Sequence, residues 1–212
     1  MSLAGPLTAE TARVRARYDR ISRWYDAQQT LIEGAVRPWR RRLWRHAHGR
    51  ILEVGVGTGQ NFPFYPADLP VTAVDLSPKM IWRARARAER LGLAVGLQVW
   101  DVQELPAPDH AFDTAVATFV FCSVPDPVRG LRELARVVRP DGAILLLEHV
   151  RIDRPFIGRL MDLLDPLAAR VIGAHINRPT VENVRRAALH IEHIESLGPM
   201  GMVKLIVAHP PA

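Results

Sequence analysis

Apolar and polar positions along the chain change rhythm near residue 50. Before it, Val14, Tyr18, Ile21 and Tyr25 recur at intervals of four, three and four, and Ile32, Val36, Trp39 and Leu43 repeat the pattern. This predicts two amphipathic helices, with Pro38 bending or restarting the second. Residues 1–8 show neither pattern and are expected to form a loose terminus. After residue 50, apolar runs of strand length at 51–54, 71–75, 95–100, 112–118 and 143–148 are separated by helical stretches at 78–91 and 127–138. Alternation of this kind predicts a parallel sheet with helices on both faces. Pro140-Asp141-Gly142 reads as the turn between the second of those helices and its strand. Beyond residue 150 come an apolar helix over about 156–172, a capped helix starting near Thr180 with Glu182 and Asn183 in its first turn, and two β-like runs at 191–197 and 202–208 around Gly198-Pro199-Met200-Gly201. No internal repeat is visible.

Composition narrows this to one domain, since 212 residues at 48% hydrophobic content bury a single sizeable core. Its parts would be basic N-terminal helices over 1–48, a core over 49–150, and an insertion with a closing hairpin over 151–212. There is no apolar run of about eighteen residues and no charged start followed by an apolar segment, so neither a membrane span nor a secretion signal is expected. The single Cys122 has no partner for an intrachain disulfide, which suits a cytoplasmic setting. The net charge of +6 is uneven: residues 1–50 hold 11 Arg against 4 acids, while the remainder holds 17 basic against 18 acidic residues. The charge therefore belongs to the N-terminal helices.

Candidate chemistry centres on Gly55, Gly57 and Gly59, which directly follow the apolar run at 51–54. Glycines at this spacing let the backbone turn sharply and lie against a ligand where a Cβ would clash. Asp75 ends the next strand, where a carboxylate can accept hydrogen bonds from ribose hydroxyls. The dinucleotide pattern GxGxxG is absent, and the charge of Glu53 just before the loop suits a cationic group better than a diphosphate. These residues point to S-adenosyl-L-methionine as cofactor.

With Trp100-Asp101-Val102-Gln103-Glu104-Leu105-Pro106, Phe112-Asp113-Thr114-Ala115-Val116-Ala117 and the run from Leu131 to Gly142, the chain resembles the class I S-adenosylmethionine-dependent methyltransferases over about residues 50–150. The resemblance implies a Rossmann-like, seven-stranded, mostly parallel sheet with an antiparallel last strand and an N-terminal helical lid. It also implies that Leu76 and Met80 flank the adenine, that Asp101 and Val102 meet its edge, and that cofactor and acceptor meet at Thr118, Phe119 and Val120. Thr58, Asn61, Ser77, Gln103 and Ser123 flank these positions and are assigned to the cofactor with them. No metal is expected, and a nucleophilic role for Cys122 is disfavoured because methyl transfer is a direct displacement.

The acceptor is read from the flanks. Tyr18-Asp19-Arg20-Ile21-Ser22-Arg23-Trp24-Tyr25-Asp26 resembles the opening element of the ubiquinone/menaquinone C-methyltransferases and the related bacterial phospholipid N-methyltransferases, which implies that Tyr18 and Tyr25 stand near the transferred methyl; either could equally be a core aromatic. The Arg-rich helices with Trp24, Trp39 and Trp44 suit an anionic membrane surface, at about 1 kcal/mol per basic residue near the surface. A plain solvated lid and a nucleic-acid patch are the other readings. Nucleic acid is disfavoured because Phe121-Cys122-Ser123-Val124-Pro125 lacks the NPPY or DPPY element of amine-methylating DNA enzymes.

The segments Glu148-His149-Val150, 156–166 and His175-Ile176-Asn177-Arg178 resemble the acceptor-side insertion of phospholipid N-methyltransferases and of membrane-associated alkyl-thiol methyltransferases. His149 could relay a proton, Arg178 could hold a lipid phosphate, and Glu148 and His175 would join the acceptor site. His149 could equally be structural, and Arg178 a surface ion-pair partner. The expected activity is N-methylation of phosphatidylethanolamine by a monomer at the inner face of the cell membrane. C- or S-methylation of a quinone precursor or hydrophobic thiol is the alternative, and a cofactor-binding protein without turnover is a more distant one.

Overall fold

The computed structural model describes residues 7–152, 154–171 and 175–211, with the side chains of 26–32, 155 and 166–171 outside that description. Most of the expected loose terminus, the side chains of Asp26 and Ile32, and Ile172 thus lie outside the described residues. Helix α1 spans Ala9–Trp44, β1 Ile51–Val54, β2 Val71–Asp75, α2 Pro78–Leu91, β3 Gly96–Val99, β4 Phe112–Thr118, α3 Pro127–Val137, β5 Val138–His149, α4 Pro155–Val171, α5 Thr180–Arg186, β6 His190–Leu197 and β7 Val203–His209. The seven strands form one sheet in the order β3-β2-β1-β4-β5-β7-β6. The pairs from β3 to β5 are parallel, and β7 runs antiparallel to both β5 and β6.

Local chemistry explains most boundaries. Ser77 caps α2 by accepting from the Met80 amide, Pro78 fills its first turn, and Gly92 ends it in the left-handed conformation. Asp126 and Pro127 start α3 in the same way. One sheet face packs on α1 and α2, with Val36, Leu43 and Trp44 meeting Ile51, Val116, Leu145 and Leu205, and Ile81, Ala84 and Ala88 meeting Ala73 and Leu97. The other face packs on α3 and α5 through Leu131, Leu134, Val184 and Ala187.

Three expectations are corrected. The two N-terminal helices are one helix of 36 residues that continues through Pro38. Proline removes one amide donor, but Val36, Leu43 and Trp44 on either side of it are buried against the sheet, and that packing overrides the local break. The Pro140-Asp141-Gly142 turn is a bulge inside β5: Val138 already pairs with Phe112, and Ala143 resumes the pairing opposite Thr114. Thr180 is not a side-chain cap of α5, for Pro179 takes the cap position and the Thr180 hydroxyl donates to the His149 carbonyl at 3.2 Å.

Candidate active site

The carboxyl ends of β1, β2 and β4, with the N-terminal half of α1 laid across them, enclose a pocket. Gly55 leaves β1 at φ +66, and a Cβ there would overlap the Val120 side chain, so only glycine lets the loop after β4 close on the loop after β1. The Asp75 carboxylate accepts from the Gly57 amide at 2.9 Å through Oδ2 and from the Ser77 amide at 2.8 Å through Oδ1. Each oxygen keeps lone-pair capacity toward the pocket. Burial raises the Asp75 pKa to about 6, against the opposing pull of the two amides.

Of the residues assigned from sequence, Gly55, Gly57, Asp75, Leu76, Met80, Asp101, Val102, Gln103, Thr118, Phe119, Ser123, Tyr18 and Tyr25 all line this pocket. The Asp101 carboxylate accepts from the Gln103 amide at 2.9 Å. The Gln103 side chain donates to Asp101 and to the Thr11 hydroxyl, and accepts from the Asp126 amide. One glutamine thereby joins the loop after β3, the start of α1 and the cap of α3. Tyr18 is hydrogen-bonded to Ser123, and burial holds its hydroxyl well above its ordinary pKa, so it stays protonated. The Tyr25 ring lies over Gly57, 3.7 Å from where a Cβ would be.

The remaining assigned residues lie outside the lining. Glu53 is buried beneath the glycine loop, accepting from Asn61 Nδ2 at 2.6 Å and from the Tyr65 hydroxyl. Burial pushes its pKa up to about 7, and its oxygens are turned to Asn61 and Tyr65 beneath the loop. Asn61 also donates to Thr118 at 3.1 Å and accepts from Arg40 at 2.9 Å, which makes it the hub of a buried network. Thr58 is buried in the loop, Gly59 makes room for the Phe62 ring, and Ser77 caps α2.

On the acceptor side, His149 stacks on Phe119 with ring centroids 4.6 Å apart, and burial lowers its pKa. It supports the wall of the pocket from behind. Glu148 is fully buried and accepts from the Val120 and Phe121 amides at 2.8 and 3.1 Å, so it fixes the loop after β4 and does not face an acceptor. His175 pairs with Asp165 at 2.7 Å, and Arg178 lines a neighbouring cleft. Cys122 is buried, and burial raises its thiol pKa, which disfavours a thiolate.

Sequence reasoning missed several lining or supporting residues. Val14 lines the pocket on the same helical face as Tyr18 and Tyr25, a signal its spacing already carried. Val124 and Pro125 also line it, next to the expected Val120, and only the closure of the loop after β4 brings them there. Asp19 accepts from the Ser77 hydroxyl at 2.5 Å and from the Lys79 amide at 3.4 Å, fastening α1 to the start of α2. Among the described residues, no group of His, Cys, Asp and Glu side chains is placed to hold a metal.

The donor set fits S-adenosyl-L-methionine. Asp75 offers acceptors for ribose hydroxyls, and Leu76, Met80, Val102 and Val124 give apolar walls for an adenine with Asp101 at its edge. Tyr18, Tyr25 and Phe119 surround the remaining space with aromatic faces suited to a sulfonium cation.

Comparison with known proteins agrees. A methyltransferase domain model matches residues 52–146. A phosphatidylethanolamine N-methyltransferase of Cereibacter sphaeroides is 42% identical over 120 residues, covering 54% of this chain and 59% of that one. A ubiquinone/menaquinone biosynthesis C-methyltransferase of Methylobacterium nodulans is 31% identical over 199 residues, covering 85% of this chain and 79% of that one. The human thiol S-methyltransferase TMT1A is 34% identical over 159 residues, covering 69% of this chain and 63% of that one. The chain spans less than two thirds of the length of several such relatives, 59% of the Cereibacter sphaeroides protein and 63% of the human one. Among solved structures, a S-adenosylmethionine-dependent methyltransferase of Thermotoga maritima superposes with a TM-score of 0.69 at 21% identity, covering 93% of this chain and 99% of that one. The [4+2]-cyclase SpnF does so at 0.67 and 22% identity over 82% and 80%, so the fold alone does not specify methyl transfer. Similarity over 85% of the chain to a relative at 31% identity, together with the domain model over residues 52–146, shows the family: the chain belongs to the class I S-adenosylmethionine-dependent methyltransferases.

Proposed function

We propose that this methyltransferase acts on a membrane lipid, transferring methyl groups to the amine of phosphatidylethanolamine and its partly methylated products at the inner face of the cell membrane. The observation that carries the reading is α4. This helix follows β5 on the acceptor side and turns Phe156, Leu160 and Leu163 to solvent, with Phe156 87% and Leu163 76% exposed. An apolar face of this kind on a short amphipathic helix suits the boundary between lipid headgroups and acyl chains. No helix among the described residues is long and apolar enough to cross a membrane. The 42% identity to a phosphatidylethanolamine N-methyltransferase supports the same acceptor.

The cofactor would supply an electrophilic methyl on sulfur, leaving orientation, desolvation and proton removal to the protein. Asp75 and Asp101 would fix the nucleoside, and Tyr18, kept protonated by burial, would orient the reacting end as a hydrogen-bond donor. An amine attacks only when neutral, and the apolar walls from Val14, Phe119, Val120 and Val124 favour its uncharged form. Tyr25 is the hydroxyl assigned to relay the proton outward. His149 keeps Phe119 in place.

A quinone precursor or a hydrophobic thiol, the acceptors in the names of other relatives, would suit the same apolar face. Incubation with labelled cofactor and separate phosphatidylethanolamine vesicles, demethylquinone and alkyl thiol decides between them. Labelled lipid is expected, and label in the quinone or thiol alone would overturn the reading. Replacing Phe156 and Leu163 by Ser should abolish vesicle sedimentation without lowering Tm; undiminished sedimentation would remove α4 from the lipid contact.

A further inference from the structure

Beside the cofactor pocket, and sharing Pro125 with it, a second cleft opens between the start of α3 and α5. Arg132 of α3, Arg186 at the end of α5 and Arg178 just before α5 line it together with the buried Asn183. None of the three arginines forms an ion pair among the described residues. Backbone carbonyls hold two of them: Arg178 donates to Cys122 and Val124 at 3.5 and 3.2 Å, and Arg132 donates to Arg186 at 3.2 Å. Carbonyls orient a guanidinium without neutralising it, so three positive groups share one cleft. The one acid in the lining is Asp126, whose Oδ1 is occupied by the Arg129 amide it caps. Arg132 and Arg186 are exposed and Arg178 is half-buried, so all three are open to an anion, and guanidinium forks match phosphate oxygens.

We propose that this cleft binds the phosphodiester of the acceptor lipid. The inference rests on the lipid reading above and adds the residues that hold the headgroup. In an ethanolamine phospholipid a short ethylene linker joins phosphate to amine, so a phosphate site must adjoin the methyl-transfer pocket. Pro125 is the wall common to both. Arg178 has a second part, because its carbonyl bonds tie the anion site to the loop carrying Ser123 and Val124, which lines the cofactor pocket.

The test titrates protein saturated with S-adenosylhomocysteine with glycerophosphoethanolamine and, separately, with inorganic phosphate, and measures the KM for phosphatidylethanolamine in mixed micelles. Arg132→Ala and Arg186→Ala should each weaken the diester and raise that KM about tenfold, the size of one lost charge-assisted contact. Tm and S-adenosylhomocysteine affinity should stay at their wild-type values, and Arg185→Ala, outside the cleft, should change nothing. Unchanged diester affinity in both cleft variants overturns the proposal, as does binding of inorganic phosphate without the diester. If the wild type methylates the lipid and neither variant alters KM, the cleft assignment fails and the lipid reading stands. If the wild type leaves the lipid unmethylated while Arg186→Ala abolishes diester binding, the lipid reading fails and the cleft remains a phosphodiester site.

Discussion

Asp75 spends one hydrogen bond from each oxygen on its own backbone, which aims the carboxylate at the pocket before any ligand arrives. Only the ionised form accepts from two ribose hydroxyls at once, and burial raises the pKa to about 6. Cofactor affinity should therefore be flat above that value and weaken toward tenfold per pH unit below it. Calorimetry with S-adenosylhomocysteine from pH 8 to 5 checks this, and an affinity unchanged across the range would refute the role. Asp75 was legible in the sequence because a strand end and a glycine loop at that spacing imply it. For Glu53 the position beside the loop is visible in sequence, but its inward direction depends on Asn61, Tyr65 and Arg40 closing around it. Arg40 itself resembled one more surface cation, yet it is 5% exposed and sits over the Phe119 ring.

At the scale of elements, α1 does two jobs along its length. Its N-terminal half roofs the pocket through Val14, Tyr18 and Tyr25, and its C-terminal half packs on the sheet through Val36, Leu43 and Trp44. Of the three tryptophans expected at a membrane, Trp44 is buried and Trp39 packs beside Gly198, while Trp24 remains 66% exposed. The charge pattern was legible, but its division between surface and interior was not, because burial depends on which helical face meets the sheet. Asp19 is the fastening between roof and floor. Replacing it with Ala should cost about 1–2 kcal/mol, speed amide exchange in the first half of α1 and weaken cofactor binding several-fold. Exchange at the wild-type rate would show that α1 is held elsewhere.

At the scale of the molecule, three buried carboxyls among the described residues have pKa values raised by burial, Glu53 and Glu148 to about 7 and Asp75 to about 6. A group whose folded value lies above its unfolded one stabilises the fold in full only below the unfolded value, and that contribution is lost as pH rises through the folded value. Asp113 and Asp162 are lowered, the first by the Arg50 amide and the second by Arg151, and their smaller, exposed contributions are lost as pH falls toward 4 and below. The Tm of the ligand-free protein should therefore be highest near about pH 4 to 4.5 and decline toward pH 8; a Tm that rises steadily to pH 8 would show that these carboxyls are not buried as described. The order of strands and helices, the glycine loop and Asp75 were determined by sequence, because hydrophobic period and glycine spacing are local properties of the chain. The continuity of α1 through Pro38, the inward turn of Glu53, Glu148 and Arg40, and the meeting of Arg132, Arg178 and Arg186 in one cleft were decided only by tertiary structure. Each depends on a contact between residues far apart in sequence, and burial, which sets both charge state and accessibility, exists only once the sheet has closed around them.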